Sequence, residues 1–259
     1  MIITSSSGEP GAVPACPSGT TLLASVDLEW TKNYRVANGN IPFCYSVVWL
    51  VVPSSGTPMN LGEAPFSWTS AYVENPAETQ DLIASAEDAL TRIVDHAGLI
   101  TGHQLCSDLA VLARAADRPP RAVAGLRTSW HQRRLPGSSR PLIVDTRYDI
   151  GHLLVGVSRR LVDVCGELCL DVTQPELRGT SMTALHRRWI QSGDVEAREK
   201  ITVLNLWHSL STALAALRAT GAGHWDPTLN VNQMLATGMG DVFGWMKAPA
   251  FRALLEDRR

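Results

Sequence analysis

The chain has 259 residues, of which 45% are hydrophobic and 19% charged, and its formal net charge at pH 7 is −2. A chain of this length and apolar content can bury a substantial core, which excludes an intrinsically disordered protein. The near-neutral charge argues neither for nor against a nucleic-acid partner, so any such argument must come from local clusters of charge.

The predicted elements begin with strands. A short apolar strand over 21–27 and a long strand over 41–52, rich in β-branched and aromatic residues, flank the turn sequence Asn38-Gly39. This arrangement predicts a β-hairpin. A weaker strand is predicted over 66–73.

Helices and strands then alternate. Apolar residues at helical spacing predict a helix from Asn75 to about His96. The later predicted elements are a strand over 98–102, a helix over 105–116, a loop, a strand over 141–145, and helices near 150–157, 159–169, 181–191 and 195–219.

This order predicts an α/β fold with a mixed five-stranded sheet flanked by helices on both faces. It is similar to the order of the ribonuclease H-like fold. The Ser-, Gly- and Pro-rich residues 1–20 are predicted to be a flexible tail. Residues 21–220 would form the main domain, and residues 221–259 a C-terminal extension, largely helical, that packs on it.

The five cysteines fit no disulfide framework, and Cys165 and Cys169 have no further Cys or His residues nearby to complete a zinc motif. No run of residues reaches the length of a membrane span, and the first residues lack the features of a signal peptide. We therefore expect a soluble, cytoplasmic protein with reduced thiols.

Two carboxylates, Asp27 and Glu29, follow the first apolar strand. Residues two apart in a strand face the same side, so their like charges would repel without a compensating cation. Oxygen ligands suit Mg²⁺ or Mn²⁺ better than zinc. Asp108, in the first turn of the helix after strand 98–102, is the best candidate for a third acid.

These residues belong to a recognisable pattern. Asp27-x-Glu29, followed by Gly102-His103-Gln104 and then Asp108, resembles the first two sequence blocks of the DEDD 3′–5′ exonuclease superfamily over roughly residues 21–220. The resemblance implies hydrolysis of phosphodiester bonds in single-stranded DNA or RNA, or in short oligonucleotides. It also implies a two-metal site, with Mg²⁺ or Mn²⁺ held by the three acids. The resemblance places Gln104 near the substrate strand, and the other substrate-binding positions that we predict are His103, Trp30, Arg133 and Arg134.

The third block of the superfamily departs from this pattern. A fourth Asp, preceded by a His or Tyr, is expected at the start of the last helix, but Asn205 stands at that position. Lys200 and Ile201 stand where the His or Tyr would be. Reading Asp194 or Glu199 as the acid gives no better match.

His208 lies on the same helix face as Asn205 and is the predicted catalytic base, with His186 as a looser candidate. Two interpretations stay open. In the first, which we favour because the first three acids are retained, Asn205 helps to hold a metal in an atypical working site. In the second, the protein is a catalytically degenerate nucleic-acid-binding or scaffolding module. A non-nucleic-acid phosphate ester is a third possible substrate.

Eight arginines lie between Arg114 and Arg147, interrupted by Trp130 and His131. Arginine suits phosphate recognition and an aromatic ring can stack on a base, so this segment could be a substrate-binding loop beside the acids. It could equally be a solvated surface loop. Asp145, after a buried strand, is expected to cap the following turn rather than to join the acids.

Overall fold

The structure is a computed structural model that describes residues 1–9, 11–31, 39–54, 56–137 and 141–255. The strands are β1 (Ile2–Ser5), β2 (Thr20–Trp30), β3 (Pro42–Pro53), β4 (Met59–Asn60), β5 (Phe66–Tyr72), β6 (Leu99–Gly102), β7 (Leu142–Asp145), β8 (Leu170–Asp171), β9 (Gly223–His224) and β10 (Leu229–Asn230). The α-helices are α1 (Thr79–His96), α2 (Leu105–Ala115), α3 (Arg121–Gln132), α4 (Leu161–Glu167), α5 (Met182–Ser192), α6 (Val195–Ala219), α7 (Val231–Met239) and α8 (Pro249–Arg252).

Six strands form one mixed sheet in the order β1-β5-β3-β2-β6-β7. In this order, the first four strands, β1, β5, β3 and β2, pair antiparallel. The last three, β2, β6 and β7, pair in parallel. The predicted β2–β3 hairpin is confirmed, with Asp27 opposite Ser46. The predicted turn between these strands was Asn38-Gly39, and Asn38 lies outside the described residues. The chain is thus an α/β protein with a mixed sheet flanked by helices, as predicted.

The sheet has six strands rather than the predicted five, because part of the predicted tail forms β1. Ile2 pairs with Tyr72 and Ser5 with Thr69 along the edge of the sheet. A four-residue segment is too short to show strand periodicity. It becomes a strand only because β5 offers it an unpaired edge.

Two apolar clusters cover the two faces of the sheet. β2 contributes Ala24 and Val26 to the cluster beneath α1 and α2, on which α3 packs, and Leu23 to the cluster beneath α6. Alternate residues of a strand point to opposite faces, which explains this division. α6 is buried on nearly all sides and crosses β2 and β3, so residues in its middle reach the side chains at the end of β2.

The segment between α2 and β7 is not the predicted loop. Residues 121–132 form α3, in which Val123 and Leu126 are buried against the helices on that face. The flanking prolines and the many arginines hide this weak apolar pattern. Arg140 lies outside the described residues.

The predicted helix near 150–157 is also wrong. Only Gly151–Leu153 form a single 3₁₀ turn, and the side chains of Val155 and Val157 are exposed. The residues after α6 pack against it through Trp225, through Leu235 of α7 and through Phe243. None of the described helices has the length and apolar composition needed to cross a membrane.

Candidate metal site

Two cavities of the described structure have similar volumes but different chemistry. One, of about 490 Å³, lies between residues 62–66 and α7 and is lined mainly by apolar groups. The other, of about 470 Å³, is lined by Asp27, Glu29 and Asp108, and we call it the acidic cleft. Three carboxylates around one cavity are costly unless something compensates their charge, so the acidic cleft is the candidate functional site.

Asp27 and Glu29 reach the cleft from the carboxyl end of β2. Their spacing of two residues places both carboxylates on the α6 side of the sheet. The pairing with β3 shifts between Glu29 and Trp30. Such a bulge bends the strand and re-aims the side chains next to it, and Trp30 lies in the cleft lining beside the two acids.

His208 meets both carboxylates from α6. Its Nδ1 lies 3.3 Å from Oδ2 of Asp27 and 3.2 Å from Oε1 of Glu29. Burial alone would lower the pKa of His208, but the charges of Asp27 and Glu29 and the hydrogen bonds to them raise it to about 10. In the metal-free protein His208 is therefore a cation that donates to the acids.

Asn205 lies one helical turn before His208 and is fully buried. Its Nδ2 donates to Oδ2 of Asp27 at 2.6 Å and to the Asp27 backbone carbonyl at 3.2 Å. Its Oδ1 accepts from the thiol of Cys44 at 3.6 Å. In this arrangement the amide nitrogen, and not the oxygen, faces the acids.

Asp108 lines the same cleft from the first turn of α2, but its carboxylate lies outside the compact group formed by the other two acids and His208. Its side chain is 3% exposed, and its Oδ2 has no hydrogen-bond partner within the part of the chain that the structure describes. Burial raises the pKa of Asp108 well above its usual range, and the charges of Asp27 and Glu29 raise it further.

The Gly102-His103-Gln104 sequence connects β6 to α2 at the edge of the cleft. A Cβ on Gly102 would lie 3.1 Å from the Val26 carbonyl, so the close approach of the two strands favours glycine. Gln104 has a left-handed backbone with φ 65°, which is uncommon for a residue other than glycine. Such strain concentrates at functional sites. His103 and Gln104 both line the cleft.

Asp145 caps the turn after β7, as predicted, instead of joining the acids. It accepts hydrogen bonds from the backbone N–H of Gln104 and Arg147 and from the indole N–H of Trp130. Burial raises the pKa of Asp145, and these three hydrogen bonds oppose that rise. Its oxygens are committed to local structure.

The structure places Arg133 and Arg134 on Asp149 and not in the cleft lining. Arg133 binds Asp149 through two nitrogens, at 2.8 and 3.1 Å, and stacks 3.8 Å from the ring centre of Trp130. Arg134 pairs with Oδ1 of the same carboxylate. From the arginine-rich segment, it is Arg114 that lines the cleft.

The other positions weighed for the third block lie elsewhere. Lys200 pairs with Glu196 and covers the ring of Trp245. Glu199 accepts from the backbone N–H of Trp245, and Asp194 caps the start of α6. His186 stacks on the ring of Phe43.

Sequence reasoning missed the role of β3 at this site. Cys44 and Ser46 face α6 from the strand opposite Asp27, and the hydroxyl of Ser46 donates to the backbone carbonyl of Asn205. The signal available was the pair of small polar residues on one face of an otherwise apolar strand. Their partners on α6 are about 160 positions away, at separations of 159 and 161.

Asp27, Glu29 and His208 offer three ligand atoms that all lie within 4.8 Å of one another, so this group could hold a metal ion. Fold and site together define an α/β protein with a candidate metal centre at the end of a central strand. No protein-family model matches the chain, and no curated protein sequence is significantly similar to it.

Proposed function

We propose that this protein is a metal-dependent 3′–5′ exonuclease with a ribonuclease H-like fold. Its substrates would be single-stranded DNA or RNA, or short oligonucleotides. The observation that carries the proposal is the convergence of Asp27, Glu29 and His208 beside a cleft that also contains Asp108. These acids are the ones on which the resemblance to the DEDD superfamily depends.

The donor set fits Mg²⁺ or Mn²⁺. Both ions prefer carboxylate oxygens, which Asp27, Glu29 and Asp108 offer at the cleft, whereas zinc is typically held by sets rich in thiolate or imidazole. The buried Oδ2 of Asp108 is a further oxygen donor without a partner among the described residues. When bound, two such ions would activate water and stabilise the leaving oxygen of a phosphodiester.

The chain's own residues would bind and orient the substrate around these acids. The indole of Trp30 offers a surface on which a base can stack, and the guanidinium of Arg114 offers phosphate a planar fork of donors. His208 holds a proton at Nδ1 between the two carboxylates, so it is placed to exchange a proton beside them.

The test is digestion of single-stranded DNA and RNA in Mn²⁺ or Mg²⁺. Strands labelled at the 5′ end should shorten as a ladder, and strands labelled at the 3′ end should release a labelled mononucleotide first. Asp27→Asn should abolish the reaction. The matched control is Asp163→Asn, which changes an aspartate on α4 that pairs with Arg160 and should leave the rate unchanged.

A second candidate function is metal-independent binding of nucleic acid. It is favoured by one observation: Asn205 and His208 already donate hydrogen bonds to Asp27, so the site is partly compensated without an ion. Strands that bind with strong salt dependence after chelation, and that stay intact in both metals, would contradict the exonuclease and support this candidate.

A further inference from the structure

Asn205 occupies the position at which the DEDD pattern supplies a fourth acidic ligand, and its contacts define a different role. It lies on α6, where it contacts both β2 and β3, and is fully buried. Its amide nitrogen donates twice to Asp27, and its amide oxygen accepts from Cys44. Both ends of the amide are therefore engaged by the protein.

These contacts fix the orientation of the amide. If the group were rotated by 180°, Oδ1 would lie where Nδ2 lies now, 2.6 Å from Oδ2 of Asp27. Two oxygens that both only accept hydrogen bonds would then face each other, and the contact would be repulsive. The oxygen that a cation would need is consequently turned towards β3 and away from the carboxylates.

We propose that Asn205 is a positioning residue for Asp27 and does not ligate metal. It holds the carboxylate against α6, so that Asp27 keeps its orientation towards Glu29 before any cation binds. The cleft also carries one carboxylate fewer than the DEDD pattern provides. This inference rests on the proposed metal dependence, but it has a readout that does not require catalysis.

That readout is Mn²⁺ binding to the purified full chain, followed by electron paramagnetic resonance and calorimetry. Asn205→Ala should bind as many Mn²⁺ ions per chain as the wild type, with an affinity weaker by about 10–100-fold, which is the usual effect of removing a residue that orients a ligand. A role as ligand predicts instead that the number of bound ions falls by one.

Matched variants separate positioning from general loss of packing. Asn232→Ala removes another buried amide, on α7, and should leave Mn²⁺ affinity unchanged. Cys44→Ser keeps a donor for the amide oxygen and should preserve most of the affinity, whereas Cys44→Ala should weaken it. Cys165→Ala removes a buried thiol elsewhere and controls for the lost volume.

The outcomes are distinct. A loss of one bound ion in Asn205→Ala, or an affinity equal to that of the wild type, overturns the positioning role and leaves the proposed function standing. If the wild type itself binds no Mn²⁺, the proposed function fails first. Should Asn205→Ala not fold, equal affinities in Cys44→Ser and Cys44→Ala would overturn the inference, and a weaker affinity in Cys44→Ala alone would support it.

Discussion

Two groups of buried or half-buried carboxylates are joined by the β6–α2 connection, and their charges are compensated to different degrees. In the first, around Asp145 and Asp149, the carboxylates bind arginines, an indole and backbone N–H groups. In the second, at the acidic cleft, Asp27 and Glu29 share the imidazolium of His208, and Oδ2 of Asp108 has no hydrogen-bond partner among the described residues.

The difference teaches how to separate structural acids from candidate functional ones. A buried carboxylate that the fold neutralises by itself is a structural group, because the loss of either partner leaves an uncompensated buried charge. A buried carboxylate that the fold leaves partly unneutralised is costly, and such a group in a cleft is a candidate for a functional site. Gln104 connects the groups, since its backbone N–H binds Asp145 while its side chain lines the cleft.

The largest effect is expected from breaking the first group at Asp149. Asp149→Ala leaves the guanidinium of Arg133, which is 7% exposed, without its carboxylate. The free energy of unfolding, measured by urea denaturation, should fall by about 3–5 kcal/mol, with no recovery on adding Mn²⁺. Arg134→Ala, which removes a 63% exposed partner, is the control and should cost no more than about 1 kcal/mol. Similar losses in both variants would contradict the comparison.

The next effect concerns the pH dependence of the cleft. The pKa of His208 is raised from 6.5 to about 10. The stabilisation by the protonated ring is therefore complete below pH 6.5 and is lost as the pH rises towards 10. In metal-free buffer the wild type should lose on the order of a few kcal/mol across this window relative to His208→Asn.

Urea denaturation at several pH values in the presence of a chelator measures this difference. His131→Asn, which changes an exposed histidine on α3, is the control and should follow the wild type. Parallel pH profiles for the wild type and His208→Asn would show that the imidazole does not compensate the acids.

A smaller effect is expected from Asp145→Asn. The substitution replaces one accepting oxygen by an amide nitrogen, so at least one of the three N–H groups that Asp145 satisfies loses its acceptor. The free energy of unfolding should fall by about 1–3 kcal/mol, and Mn²⁺ affinity should change little. A large loss of Mn²⁺ binding at unchanged stability would place Asp145 with the cleft.

The smallest effect on stability is expected from the aspartate-to-asparagine substitution at Asp108, in the cleft. It should raise the free energy of unfolding slightly or leave it unchanged, whereas Asp145→Asn should lower it. Asp108→Asn removes a buried carboxyl that interacts unfavourably with Asp27 and Glu29. The metal-free protein should be unchanged or more stable by up to about 1 kcal/mol, while Mn²⁺ binding weakens at least about tenfold. A destabilised Asp108→Asn with normal Mn²⁺ affinity would remove Asp108 from the site.

Strong local patterns made much of the fold and part of the site predictable. The periodicity over 195–219 gave the bounds of α6, observed as Val195–Ala219. The spacing of two residues put Asp27 and Glu29 on one face of a strand, and the spacing of three put Asn205 and His208 on one face of a helix. That the two pairs meet was implied by the resemblance and not by the spacing; in the structure, Asn205 and His208 contact Asp27.

The remainder depended on contacts between distant parts of the chain. β1 needs the edge of β5, and α3 needs the apolar faces of α1 and α2. The orientation of the Asn205 amide is set by Asp27 and Cys44, which are 178 and 161 positions away. Local sequence carries no information about such partners.

Because α6 is buried on nearly all sides, the site depends on residues that a shortened chain or a graft onto another protein would omit. Leu210 and Leu214, on the helix that carries Asn205 and His208, pack in one cluster with Trp225, Leu235 and Phe243. A fragment ending near residue 220 would expose this apolar surface to water and loosen the helix. Grafting the site onto another protein therefore requires the residues that follow α6, although none of those described up to Leu255 lines the cleft.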